Sequence, residues 1–131
     1  MKSLFDDVSI SCSKKVTSSY STSFSTAVNM LSPSIRSAIH SIYGFVRFAD
    51  EIVDTFHDWD NEYLLNKFEE DFYQAMEMQI SLNPILNSFQ HTVRKYNIDI
   101  SLIDAFLKSM RMDLQKNIYE TKEEYEDYIY G

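Results

Sequence analysis

From Ser32 to Asp60 the chain reads SPSIRSAIHSIYGFVRFADEIVDTFHDWD, a stretch whose spacing predicts one long helix carrying two stripes. Ile35, Ile39, Ile42, Val46, Ala49, Val53 and Phe56 recur at alternating steps of four and three residues, which keeps one face of an α-helix apolar. That face is expected to be core. One residue further on, Arg36, His40, Tyr43, Arg47, Asp50, Asp54 and His57 repeat the same steps. At roughly 100° per residue, each of these polar groups stands beside an apolar neighbour instead of opposite it. Polar residues placed next to a buried stripe can line a cleft between this helix and its neighbours.

Asp50 and Asp54 are the chemical centre of that stripe. They lie one turn apart in the run Asp50-Glu51-Ile52-Val53-Asp54, so both carboxylates reach the same side of the helix. A hard divalent cation such as Mg²⁺ takes one or two protein carboxylates and completes its shell with water and substrate phosphates. Like charges at this spacing repel by roughly 0.2–0.5 kcal/mol in an isolated helix unless a cation or basic group offsets them. Arg47 is one turn from both Asp50 and Glu51 and supplies part of such an offset. Spacing alone equally describes a solvated acidic face on a net-negative protein.

Composition narrows the remaining choices. The 131 residues, 1–131, are expected to be one domain or part of one, long enough to bury a core. Only two glycines and two prolines occur, with Pro33 and Pro84 at helix starts, so sheets with tight turns are disfavoured and the chain reads as all-α. A net charge of −8 argues against nucleic-acid partners and against an anionic membrane surface, both of which need a basic face. The single Cys12 forms no internal disulfide and fits a reducing, cytoplasmic setting. The opening MKSLFDDVSISCSKK has no sustained apolar run and reads as neither signal peptide nor membrane span. A peripheral association with a membrane that holds the substrate stays open.

The rest of the chain divides into further helices. A weak one is expected from about Leu4 to Ser18, then an irregular turn through the hydroxyl-rich SSYSTSFSTAVNMLSP, entering a short helix through Ala27 and Leu31. Hydroxyls and free N–H groups at such a helix start can hold a phosphate. Ser32 and Pro33 open the long helix, in which Gly44 costs about 1 kcal/mol relative to alanine unless something approaches closely. Asp60 caps the next helix, with Leu64, Phe68, Phe72, Ala75 and Met76 apolar; Asn83 and Pro84 cap another, with Ile85, Phe89 and Val93 inward. Ser101 is expected to cap a helix with Ile103, Phe106, Met110 and Leu114 inside and Asp113 beside them, and Thr121 with Glu124 forms a capping box for the last turns. No Glu-x-x-His pair suggests a di-iron bundle, His40, His57 and His91 lack zinc spacing, and no glycine-rich phosphate loop occurs.

Several of these stretches, in order, resemble squalene and phytoene synthases. Ser21-Thr22-Ser23-Phe24, then Ala27, Leu31, Pro33, Arg36, Ala38, Ile42-Tyr43, Arg47 and Asp50 to Asp54 match that family's S-x-S-F, leucine-proline, Y-x-F-x-R and Asp-rich motifs. Met112-Asp113-Leu114, Tyr119-Glu120-Thr121, Tyr125 and Tyr128 before Gly131 resemble the segment that precedes its second Asp-rich motif. The resemblance implies an isoprenoid-synthase-type helical bundle that joins two prenyl diphosphates, farnesyl or geranylgeranyl, head to head. By the same resemblance Asp50 and Asp54 hold Mg²⁺, Arg47 and Tyr43 act at the reacting diphosphate, and Ser21 and Ser23 bind it with Arg47. NADPH is implied only for a squalene-type product.

Glu51 stands where the family commonly has aspartate, and a longer acid can serve the metal through water. The family's second acidic motif is expected beyond Gly131. The resemblance therefore implies an incomplete bundle, the N-terminal half, which is inactive alone and self-associates through an exposed half-core. A different class of reading is a non-catalytic helical interaction module on the same scaffold. A third, a terpene cyclase, uses similar acidic helices but lacks the S-x-S-F and Y-x-F-x-R context.

Overall fold

Scarce glycine and proline leave the helices long, and each break falls at a capping residue. A computed structural model describes the backbone of residues 1–130 and the side chains of residues 1–118. Six helices follow one another: α1 Lys2–Tyr20, α2 Thr22–Asn29, α3 Pro33–Asp54, α4 Asn61–Met78, α5 Pro84–Lys95 and α6 Ile100–Tyr130. The all-α expectation holds for the described residues. Among them no helix is long and apolar enough to cross a membrane.

Several boundaries differ from the sequence expectation, each for a local reason. The weak first helix is a full one, because its buried face is made of hydroxyls: Ser9, Ser13 and Thr17 are fully buried while Leu4 and Val8 are exposed. Ser9 and Thr17 satisfy themselves by donating to the carbonyls of Phe5 and Ser13 one turn back, at 2.9 and 3.0 Å. The hydroxyl-rich run is no irregular turn either. Before α2 ends at Asn29 its one break is Ser21, extended at φ −149° and ψ 97°, whose Oγ accepts the N–H of Phe24 at 3.1 Å and starts α2. Arg36 closes α2 by donating to the carbonyls of Leu31 and Asn29 at 2.9 and 2.7 Å.

The long helix stops at Asp54 and does not reach Asp60. His57 folds back so that its Nε2 lies 2.7 Å from the Asp54 carbonyl, which takes Phe56 and His57 off both stripes. Asp60 and Asn83 cap α4 and α5 as expected, accepting the N–H groups of Tyr63 and Ile85, each at 3.0 Å. For α6 the capping group is Asp99 and not Ser101: its Oδ1 accepts the Ser101 N–H at 2.9 Å. That helix runs past Thr121 without a break; the side chains of Thr121, Glu124 and the tyrosines near Gly131 lie outside the described residues.

α5 is buried on nearly all sides, packed against α1, α3 and α4. Its apolar residues face an aromatic core in which Phe45 is the hub, 1% exposed, with the rings of Phe89, Phe68, Phe72 and Phe106 at 4.0, 5.1, 5.5 and 5.8 Å between centroids. Its polar residues face α1 and α3. Asn87 donates to Asp6 at 2.9 Å and Ser9 at 3.1 Å and accepts the N–H of Ser81 at 3.2 Å, and Ser88 is hydrogen-bonded to Ser41. Gly44 sits at this junction, where a Cβ would come within 3.4 Å of both Ile85 and Ser13. The close approach expected at that glycine is thus between helices.

The apolar stripe predicted on α3 is the packed face only in part. Ala49 and Val53 are buried as expected, joined by Ala38, Ser41, Phe45 and Ile52, whereas Ile35 and Val46, expected as core, are each 39% exposed. α6 closes over α3 and α4, through the ion pair and hydrogen bond of Arg111 with Glu69 and Asn66 and the hydrogen bond from Tyr73 to Asp104. The Tyr73 hydroxyl is pushed up to about 12 by burial and then by the Asp104 carboxylate.

Candidate functional site

Two residues of that stripe border a cleft. Ile42 and Val46 of α3, Phe89 of α5, Ile98 just before α6, and Leu102 and Phe106 in its first turns line an apolar groove of about 230 Å³. One turn beyond Val46 on α3 comes Asp50, and two turns beyond Phe106 on α6 comes Asp113. The groove's walls are apolar, and the acids Asp50 and Asp113 follow its wall residues further along α3 and α6.

On α3 Asp50 and Asp54 meet as their spacing predicts. The Asp54 residue is exposed, yet its carboxyl is held above the ordinary carboxylate range, first by desolvation, then by a hydrogen bond with Asp50 and by the charges of Asp50 and Asp113; Arg47 works the other way. Asp113 adds its charge from α6 without joining the pair. Among the described residues no three carboxylate, histidine or cysteine groups converge as a metal-binding set. Two hard oxygen donors that meet on one helix flank nevertheless fit a divalent cation, which would relieve their repulsion and keep most of its shell for water and phosphate. Asn117 of α6 donates to the Val53 carbonyl at 3.4 Å, fixing α6 against this end of α3.

Arg47 borders the pair. Its Nη1 is 3.2 Å from Asp50 and its Nη2 is ion-paired with Glu51, so the offset anticipated from the spacing is present. The guanidinium carbon stands 4.8 Å from the centre of the Tyr20 ring. Its pKa is raised, chiefly by the Glu51 hydrogen bond and against the effect of burial. Tyr43 adds to that shift from one turn away and stacks on Phe24, with centroids 5.0 Å apart and planes at 23°.

The hinge at Ser21 therefore brings the end of α1 and the start of α2 onto the polar stripe of α3. Ser21 is half-buried, with its Oγ engaged as the α2 cap, and Ser23 is exposed in the first turn. Arg47, Asp50 and Asp54 come together with Tyr43, while His40 and His57 leave the group. His40 is buried toward α1, where desolvation and then the Lys14 charge lower its pKa. Tyr20 was not singled out from the sequence; its position just before the S-x-S-F run is the only signal that could have drawn attention to it.

Glu51 turns the other way. It faces a second cleft of about 380 Å³ on the α4 side, with Tyr20, Phe48, Phe56, Leu64 and Lys67 among its walls.

The squalene/phytoene synthase family model matches residues 17–131. The chain belongs to the squalene/phytoene synthase family. Its six-helix architecture is accordingly of the all-α isoprenoid-synthase type, and membership places it among transferases of the head-to-head prenyl synthase kind, whose substrates are prenyl diphosphates. The match begins inside α1, before the Ser21 hinge, and spans every residue of the candidate site. Comparison with individual curated proteins gave no match.

Proposed function

We propose that this chain binds prenyl diphosphates and serves their head-to-head condensation, of the phytoene, squalene or dehydrosqualene type. The observation that supports the reading is that Val46, which lines the apolar groove, is followed on the same helix by Asp50 one turn on and by its partner Asp54 two turns on. A prenyl diphosphate has the same polarity, a long apolar chain ending in a concentrated anion.

Asp50 and Asp54 hold Mg²⁺ in this reading. When bound there the ion neutralises the diphosphate and assists its departure from the allylic carbon. Arg47 contributes a fixed positive charge beside the leaving group, and the hydroxyls of Tyr43, Ser21 and Ser23 orient its oxygens. Phe24, stacked on Tyr43, and the groove's apolar walls exclude water from a cationic prenyl chain. NADPH enters only if the product is of the squalene type.

Calorimetric titration with a non-ionisable farnesyl or geranylgeranyl thiodiphosphate tests this. Binding should require Mg²⁺ and disappear in the Asp50→Asn/Asp54→Asn double variant. A folded chain that binds the prenyl compound equally well without metal would overturn the clamp and favour a helical docking module.

A further inference from the structure

Arg47 is held from three directions, and its two carboxylate partners are unlike. The Glu51 side chain is 12% exposed, whereas that of Asp50 is 38% exposed. Glu51 lines the α3–α4 cleft together with Tyr20, and neither Asp50 nor Asp54 is among the walls of that cleft. The Tyr20 ring in turn covers the Arg47 guanidinium, and Arg47 Nε is buried with no hydrogen-bond partner. A buried carboxylate stripped of its guanidinium would be left uncompensated, which is strongly unfavourable. A half-exposed one such as Asp50 can exchange its partner for water or a cation at little cost.

We propose that Glu51 is a positioning residue that, with the Tyr20 ring, fixes the Arg47 guanidinium beside the Asp50–Asp54 pair, and that Glu51 is not a metal ligand. This rests on the reading of that pair as a metal clamp. Nη2 of Arg47 stays on Glu51 throughout. Nη1 is the exchangeable edge: it leaves Asp50 for a diphosphate oxygen, and Asp50 is thereby released to the metal. The acidic run Asp50-Glu51-Ile52-Val53-Asp54 is thus divided between two helix flanks, with its outer acids serving the cation and its second acid serving the arginine.

Two measurements on the whole chain test the assignment. In ¹⁵N NMR of the arginine side chains, the Arg47 Hε should exchange with solvent about tenfold or more faster in Glu51→Gln and in Tyr20→Leu, while Tyr20→Phe, which keeps the ring, leaves it unchanged. Glu51→Gln preserves the shape of the site, and an unaltered circular dichroism spectrum confirms that the variant is folded. Mn²⁺ affinity, read by electron paramagnetic resonance, should stay within about twofold in Glu51→Gln and fall about tenfold or more in Asp54→Asn. Arg47 exchange that does not move in Glu51→Gln overturns the positioning role, and an Mn²⁺ affinity lost as fully in Glu51→Gln as in Asp54→Asn shows a ligand instead. If the unmodified chain binds no Mn²⁺ at all, the metal clamp itself falls, and the NMR measurement alone decides whether Glu51 positions Arg47.

Discussion

Two ionisable side chains are held against their preferred protonation states, and they act in opposite senses. His40 is 3% exposed with no partner on Nδ1, and burial followed by the Lys14 charge holds its pKa below the ordinary 6.5. The unfolded chain therefore takes up a proton that the folded chain resists, so stability should fall as pH drops through 6.5 toward the depressed folded value. Replacing His40 with Leu should flatten urea-measured stability between neutral and mildly acidic pH; an unchanged slope would mean that another group controls it. Asp54 works the other way. Its folded pKa is raised above 3.8, so the folded state carries a penalty at neutral pH that fades as pH falls through the raised value to the unfolded one. Asp54→Asn should accordingly raise the melting temperature at neutral pH without metal. The gain should vanish at a pH below 3.8, and added Mg²⁺ should reverse the order by stabilising only the unmodified protein.

At the level of the helix, the period was legible and the phase only in part, since Ala49 and Val53 are buried as expected and Ile35 and Val46 are not. α3 carries Phe45, Phe48 and Ile52 as well as the stripe through Ile42, Val46 and Val53. Two overlapping faces therefore satisfy the helical repeat, and only the neighbours α1 and α5 decide which is buried. Phe45 won that contest, and Phe45→Ala should destabilise the protein by about 3–5 kcal/mol in chemical denaturation. α1 was misjudged for a related reason, since its buried face is Ser9, Ser13 and Thr17 and has no apolar signature. Those small side chains let α1 approach Gly44, where a Cβ would just reach contact at 3.4 Å. Gly44→Ala should stay within about 1 kcal/mol of neutral, because improved helix propensity offsets the tighter contact. Gly44→Leu should cost about 1–3 kcal/mol by overpacking the same junction, measured alongside it. The site was readable wherever it lies on one helix: Arg47, Asp50 and Asp54 share a flank at fixed spacing. Tyr20 was not, because it stands on another helix, α1, and reaches Arg47 only through the packing of α1 against α3; Glu51 borders a different cleft from its neighbour because two adjacent residues on a helix point about 100° apart.

Across the whole molecule, charge and cleft make different demands on a ligand. A protein with net charge −8 repels a free diphosphate, and one arginine already shared between Asp50 and Glu51 cannot reverse that field. If Asp50 and Asp54 form the proposed clamp, a divalent cation makes this site receptive, and inorganic diphosphate should bind only in its presence. The groove beside it, on Ile42, Val46, Leu102 and Phe106, offers no polar partner and can add affinity only by taking apolar surface out of water, at about 0.8 kcal/mol per buried methylene. These two contributions can be separated by filling the groove while leaving the acids untouched. Val46→Trp should lower the affinity for farnesyl thiodiphosphate about tenfold or more while inorganic diphosphate with Mg²⁺ binds within about twofold of its original strength. Equal losses for both ligands would mean that the indole had disturbed Asp50 one turn away. No loss for either would place the prenyl chain elsewhere, with the cleft on Phe48 and Phe56 across α3 as the remaining apolar route from the same arginine.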